Sequence, residues 1–137
     1  MHILYTVCSW GLGHATRSLP IMRRLIDEGH ELSIVSKDRS LGVLRRELGD
    51  QVKEFIEISD FPILSGSSPA EVIGRAMVYW PGFVKNIVDG HQQIKKLGDK
   101  SSFDLVISDG RYDGFLSDVP SFFISHQMRI MNPLRFG

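Results

Sequence analysis

The stretch that most constrains this chain is residues 3–18, ILYTVCSWGLGHATRS. Ile3 to Cys8 is a short run of apolar and β-branched residues, the mark of a strand buried on both faces. Leu19, Met22, Leu25 and Ile26 then recur at helical spacing. Between strand and helix the chain must reverse tightly, and Gly11-Leu12-Gly13-His14 supplies the glycines such a turn needs. The turn leaves backbone N–H groups at the helix N-terminus, where the helix dipole favours a phosphate or a developing negative charge. His14 stands at that spot and is the first candidate for chemistry. The bland alternative is a histidine that caps the helix or bonds locally.

A strand, a G-x-G turn and a helix match part of a dinucleotide-binding fingerprint. The third glycine is replaced by Thr16. The acidic residue expected at the end of the second strand is absent, since that strand ends Ser36-Lys37 and Asp38 comes late. A dinucleotide-binding oxidoreductase domain therefore stays an alternative with two weak points.

The chain has 137 residues, enough for one domain with a real core. Lys plus Arg equals Asp plus Glu at 16 each, so there is no basic field to attract nucleic acid. No apolar run approaches the roughly 20 residues of a membrane span, and the N-terminus has no signal-peptide pattern. A cytoplasmic location fits. Cys8 is the one cysteine, which excludes an internal disulfide; a small core residue is its expected role.

In chain order, His2 to Cys8 is strand one, and the first helix should end near Glu28 with Gly29 as its stop. Pro20 implies either a regular helix that begins near Ser18 or a kink there. Glu31 to Ser36 is strand two; Leu41, Leu44 and Leu48 mark a second helix closed by Gly49; Val52 to Ile58 is strand three. A βαβαβ order predicts right-handed crossovers and a parallel sheet. Ser68-Pro69-Ala70-Glu71 then combines a serine N-cap, a proline at the first helical position and a glutamate three residues after the cap. The helix it starts carries Val72, Ile73, Ala76 and Met77, then Val84, Ile87, Val88 and Ile94. Pro81-Gly82 predicts a break or kink near Trp80. Tyr79, Trp80 and Phe83 cluster there, and core or domain-interface packing is expected. A membrane-docking patch is the sharper alternative.

Phe103 to Ser108 is strand four and runs into Asp109-Gly110-Arg111-Tyr112-Asp113-Gly114. Asp109 and Asp113 lack companions for a metal site, and no metal is assigned. Pro120 to Ser125 is strand five, followed at once by His126-Gln127. Three polar stretches thus fall at the carboxyl ends of three strands: Gly11 to His14, Asp109 to Gly114, and His126-Gln127. In an open α/β sheet these ends share the ligand-binding edge, and its two histidines can give or take protons near neutral pH.

Ser9-Trp10-Gly11-Leu12-Gly13-His14-Ala15-Thr16-Arg17-Ser18, followed by a helix, Gly29-His30-Glu31 and a strand, resembles the opening of GT-B glycosyltransferases. It is closest to the family 28 type, which includes the N-acetylglucosaminyltransferase of peptidoglycan lipid synthesis and related glycolipid transferases. The resemblance covers essentially the whole chain. Asp109 to Gly114 resembles that family's glycine-tyrosine loop, and His126-Gln127 its later histidine-bearing loop.

The resemblance implies an α/β, Rossmann-like parallel sheet with helices on both faces, the N-terminal half of a GT-B fold. Residues 1–137 would be one acceptor-side domain, with the donor-binding domain absent from this chain. It would stand as a piece of a longer enzyme, inactive alone, or as the acceptor half of a two-subunit transferase. The reaction implied is transfer of a hexose or N-acetylhexosamine from a nucleotide-sugar to an acceptor hydroxyl, lipid-linked in the glycolipid relatives, with inversion. No metal or other cofactor is implied, and the nucleotide-sugar is a co-substrate held mainly by the other half. His14 would be the general base or would position the acceptor. Gly11 and Gly13 would let the backbone approach a phosphate, and Arg17 would reach an anionic acceptor group. Asp109, Arg111 and Tyr112 would line the acceptor side, with His126 and Gln127 on the cleft floor. Expected partners are the acceptor and a donor domain in cis or as a subunit, with a peripheral membrane contact in the lipid-linked case. A non-catalytic acceptor-docking subunit is the remaining alternative.

Overall fold

The computed structural model describes residues 1–60 and 68–125. Strand β1 (His2–Val7) leads into helix α1 (Leu12–Asp27), β2 (Glu31–Ser36), α2 (Asp38–Leu48) and a 3-10 turn (Gly49–Gln51). Strand β3 (Glu54–Glu57), α3 (Pro69–Lys100), β4 (Leu105–Asp109) and β5 (Ser121–Ile124) follow. The five strands form one sheet in the order β3-β2-β1-β4-β5, and every neighbouring pair is parallel. This is the Rossmann-like arrangement expected. The order turns back between β1 and β4, so the crevice outside their carboxyl ends is the topological switch point where such sheets bind ligands.

The apolar run of β1 has side chains to bury on both faces. Ile3, Tyr5 and Val7 pack with Ala15, Leu19 and Met22 of α1 and Leu44 and Leu48 of α2. Leu4 points the other way, with Val35 and Val106, onto Ile94 of α3. Each such aliphatic side chain contributes roughly 1.5–3 kcal/mol when fully buried. Helices therefore cover both faces, and β1 and β4 are clamped at the centre.

The predicted cap of α3 is present: the Glu71 N–H donates to Ser68 Oγ at 3.2 Å. Neither proline ends or delays its helix. Helix α1 begins at Leu12 and runs through Pro20, and α3 runs unbroken through Pro81. A proline removes the hydrogen bond to the carbonyl four residues earlier, here that of Thr16 or Met77. Both residues lie on exposed helix surface, where water can take over the carbonyl. The aromatic cluster on α3 is not packed into the core of this domain. Tyr79 is 53% and Trp80 58% exposed, beside Met77 and Val78 at 77% and 74%. Trp80 stacks on Phe83 with ring centroids 5.7 Å apart, on the outside of the molecule. Among the described residues no helix is long and apolar enough to cross a membrane.

Candidate functional site

The site forms where α1 starts and β4 ends. Gly11 is the N-cap residue of α1 at φ 76°, a left-handed conformation that L side chains avoid. A Cβ at Gly11 or Gly13 would meet nothing within 4 Å. At Gly11 the requirement is therefore backbone angle rather than space. The first turn of α1 has no side-chain cap and no acidic residue, so its N–H groups suit an anion. Beside it, Ser9, Gly11 and Leu12 line a cavity of about 320 Å³ with Asp38, Arg39 and Ser40 at the start of α2.

His14, Arg17 and Ser18 stand at i, i+3 and i+4 on α1, so they share one helix face. That face meets Asp109, the last residue of β4. His14 Nδ1 lies 2.9 Å from Asp109 Oδ1. Arg17 Nη2 donates to the same oxygen at 2.6 Å, and Ser18 Oγ donates to Oδ2 at 2.7 Å. Asp109 is 1% exposed. An ionised carboxylate only accepts hydrogen bonds, so a lone pair on Nδ1 would face it repulsively. The proton therefore belongs on Nδ1, and the lone pair of the neutral ring falls on Nε2. Burial pushes the Asp109 carboxyl pKa up, but the donors His14, Ser18 and Arg17 outweigh it and hold the group below its ordinary value.

The residue after Asp109 makes this possible. Gly110 has φ 73°, and a Cβ there would lie 2.8 Å from His14 Cε1 and 3.1 Å from Cys8 Cβ. Cys8 N donates to the Asp109 carbonyl at 2.9 Å and fixes the strand end. Cys8 itself is buried, as expected; burial pushes its thiol up to about 12, so it is no thiolate nucleophile near neutral pH. Tyr5 lies fully buried in the same layer, and burial raises its phenol pKa.

The other expected site residues are placed less uniformly. Asp109 turns inward to His14 instead of opening toward an acceptor, and Arg17 turns to Asp109. Arg111, expected on the acceptor side, is 1% exposed. Its Nε donates to Asp113 Oδ1 at 3.0 Å and its Nη2 to Oδ2 at 2.7 Å. Its Nη1 and Nη2 also donate to the carbonyls of Ile58 and Ser59, at 3.0 and 3.1 Å. With its donors used internally, Arg111 is a strut between the end of β3 and the β4 loop. Asp113 is equally committed, so the two aspartates of the loop face different partners. Tyr112 is 57% exposed and stacks on Phe123 with centroids 5.4 Å apart. It is the open side chain of the loop. His126 and Gln127 lie outside the described residues.

Two contributors were not singled out from the sequence. Ser18 was detectable as the residue one turn beyond His14. Asp60, whose Oδ2 accepts from Ser9 N at 2.8 Å and Ser9 Oγ at 3.2 Å, ties the chain after β3 to the glycine turn; such a contact across 51 residues leaves no local pattern.

The fold and site define a parallel α/β domain in which a buried histidine–carboxylate pair able to take a proton lies beside a helix N-terminus able to bind an anion. Residues 1–114 match the family model of glycosyl transferase family 1, and the chain belongs to that family. It is 29% identical over 140 residues to uncharacterized glycosyltransferases of Methanosarcina mazei and Methanosarcina acetivorans, covering 95% of this chain. The chain spans 34% and 33% of those relatives' lengths. In fold it is similar to the glycotransferase of kitacinnamycin, with a TM-score of 0.61 at 16% identity, over 89% of this chain and 29% of that one. The C-terminal domain of a Pyrococcus furiosus hydrogenase has a TM-score of 0.55 at 14% identity, over 89% of both chains; at that identity the likeness concerns fold alone.

Proposed function

We propose that this chain is the acceptor-side half of a two-domain GT-B glycosyltransferase, of the kind its family 28 resemblance implies, with His14 as the general base. The hydrogen bond from His14 Nδ1 to Asp109 carries this reading. It fixes the ring, leaves Nε2 as the proton acceptor, and places a negative charge to stabilise the imidazolium once formed. In the proposed step Nε2 takes the acceptor hydroxyl proton as that oxygen bonds the anomeric carbon. The bond to the nucleotide diphosphate breaks on the opposite side, which inverts the anomeric centre. The start of α1 then offers N–H groups to a phosphate of donor or acceptor.

The donor would be held mainly by a second domain, in keeping with relatives about three times as long. The transferred group would be a hexose or N-acetylhexosamine, and Tyr112 would line the acceptor side. The exposed apolar stretch Met77 to Trp80 supports an apolar, lipid-linked acceptor and peripheral contact with the cytoplasmic membrane face. The dinucleotide alternative loses support at Thr16, whose Oγ1 bonds back to the carbonyls of Leu12 and Gly13. The deciding experiment is His14→Ala in the complete enzyme. Turnover should fall about 10²–10⁴-fold with an unchanged circular dichroism spectrum. Near-normal turnover removes His14 from the chemistry.

A further inference from the structure

The carboxylate that orients His14 is itself held on three sides, and one of its holders carries a charge. Asp109 Oδ2 receives Ser18 Oγ at 2.7 Å, and Oδ1 receives both His14 Nδ1 and Arg17 Nη2, at 2.9 and 2.6 Å. Arg17 Nη2 also lies 3.1 Å from His14 Nδ1. Ser18 is fully buried, and the Arg17 side chain is 41% exposed. We propose that Ser18 and Arg17 are positioning residues for the base. Ser18 fixes the carboxylate plane, and Arg17 balances its charge, so that Oδ1 meets the Nδ1–H and one histidine tautomer prevails. This rests on the reading of His14 as the base, and it reassigns Arg17 from the acceptor to the carboxylate.

The physical argument starts from the isolated pair. A buried carboxylate bonded only to a neutral imidazole would be an uncompensated charge, which is costly. It could respond by taking a proton, and the carboxylic acid could then donate to Nδ1, turning the ring into the other tautomer. The proton on Nε2 would then block it as a base. Arg17 prevents this by supplying the countercharge. Ser18 prevents it differently: its O–H donates to Oδ2, which favours the ionised carboxylate over the acid and holds its plane. Charge-assisted bonds of this length are the stronger class. The other ionisable neighbours, the phenol of Tyr5 and the thiol of Cys8, have their pKa values raised by burial, so both stay neutral and neither supplies a competing charge.

The test reads the tautomer directly, by long-range ¹H–¹⁵N spectra of the histidine rings in this 137-residue chain at neutral pH. The wild type should show His14 protonated at Nδ1. Ser18→Ala and Arg17→Met should each raise the Nε2-protonated fraction, whereas Ser18→Thr and Arg17→Lys should restore the wild-type pattern. In the complete enzyme Ser18→Ala should lower kcat roughly tenfold to a hundredfold with KM unchanged. If Ser18→Ala and Arg17→Met leave the tautomer as it was while Asp109→Asn changes it, the positioning roles are wrong and the His14–Asp109 pair stands. If Asp109→Asn also changes nothing, the pair itself is wrong. Should Arg17→Met fail to fold, the comparison of Ser18→Ala with Ser18→Thr decides the matter alone.

Discussion

The imidazole of His14 lies against the backbone of Gly110, so close that a methyl group on that glycine would come within 2.8 Å of Cε1. Gly110→Ala should act twice. It places a side chain at φ 73°, which costs roughly 1–2 kcal/mol, and it displaces the ring from Asp109. Turnover of the complete enzyme should fall much further than that loss of stability explains. A melting curve beside a kcat measurement checks this; equal, small effects on both would show that the ring has room to move.

Asp109 gives the fold a defined acid sensitivity. Its carboxyl is held below the ordinary value by His14, Ser18 and Arg17 despite burial. The stabilisation is therefore complete above the unfolded aspartate value, about 3.9, and is lost as pH falls through the lower folded value. Urea midpoints measured from neutral pH into acid should fall less steeply in Asp109→Asn than in the wild type. At neutral pH the same variant should be less stable. Parallel acid profiles would show that the carboxylate is not held as described.

Arg111 and Asp113 form a buried pair whose members cannot be removed singly. Arg111→Met would leave Asp113 charged and the carbonyls of Ile58 and Ser59 without their donor. A loss of about 3–5 kcal/mol is expected in urea unfolding. Replacing both members with apolar residues should cost less than Arg111→Met alone. If Arg111→Met leaves stability intact but weakens acceptor binding, the arginine faces a ligand after all.

Trp80 separates surface from core. At 58% exposure, Trp80→Ser should change stability by no more than about 0.5 kcal/mol, where a core tryptophan would cost several times as much. Co-sedimentation with liposomes should fall when Trp80 and Phe83 are both serine. Equal sedimentation of variant and parent would remove the membrane contact from the proposed function.

Much of the fold was legible because local and global demands coincide. The apolar run Ile3 to Cys8 must be buried on both faces, and it is. The serine, proline and glutamate of residues 68–71 cap a helix wherever that helix lies. A helix start near Ser18 and a break near Trp80 did not occur because a proline's cost is local, and packing of the rest of a helix, as Ile94 shows on α3, can carry the chain through it. For the site, His14 was legible from its place at the glycine turn. The inward role of Asp109 and the burial of Arg111 were not, because a polar loop after a strand reads alike whether its charges face water or each other. That choice is made by contacts across 50 to 95 residues, such as Arg111 with Ile58 and Asp109 with His14.

All the groups of the proton-handling cluster stand on α1 and on the end of β4, the strand beside β1 in the middle of the sheet. Strands β2 and β3 and helix α2 contribute none of them. On the far wall of the cavity by the glycine turn, the exposed Asp38 and Arg39 supply none of these groups, whereas Ser40 holds the Gly11 carbonyl and Leu44 and Leu48 pack on β1 and α1. Under the proposed function, chimaeras of the complete enzyme that exchange Asp38 and Arg39 should change which acceptor is used while His14 and Asp109 keep their contact.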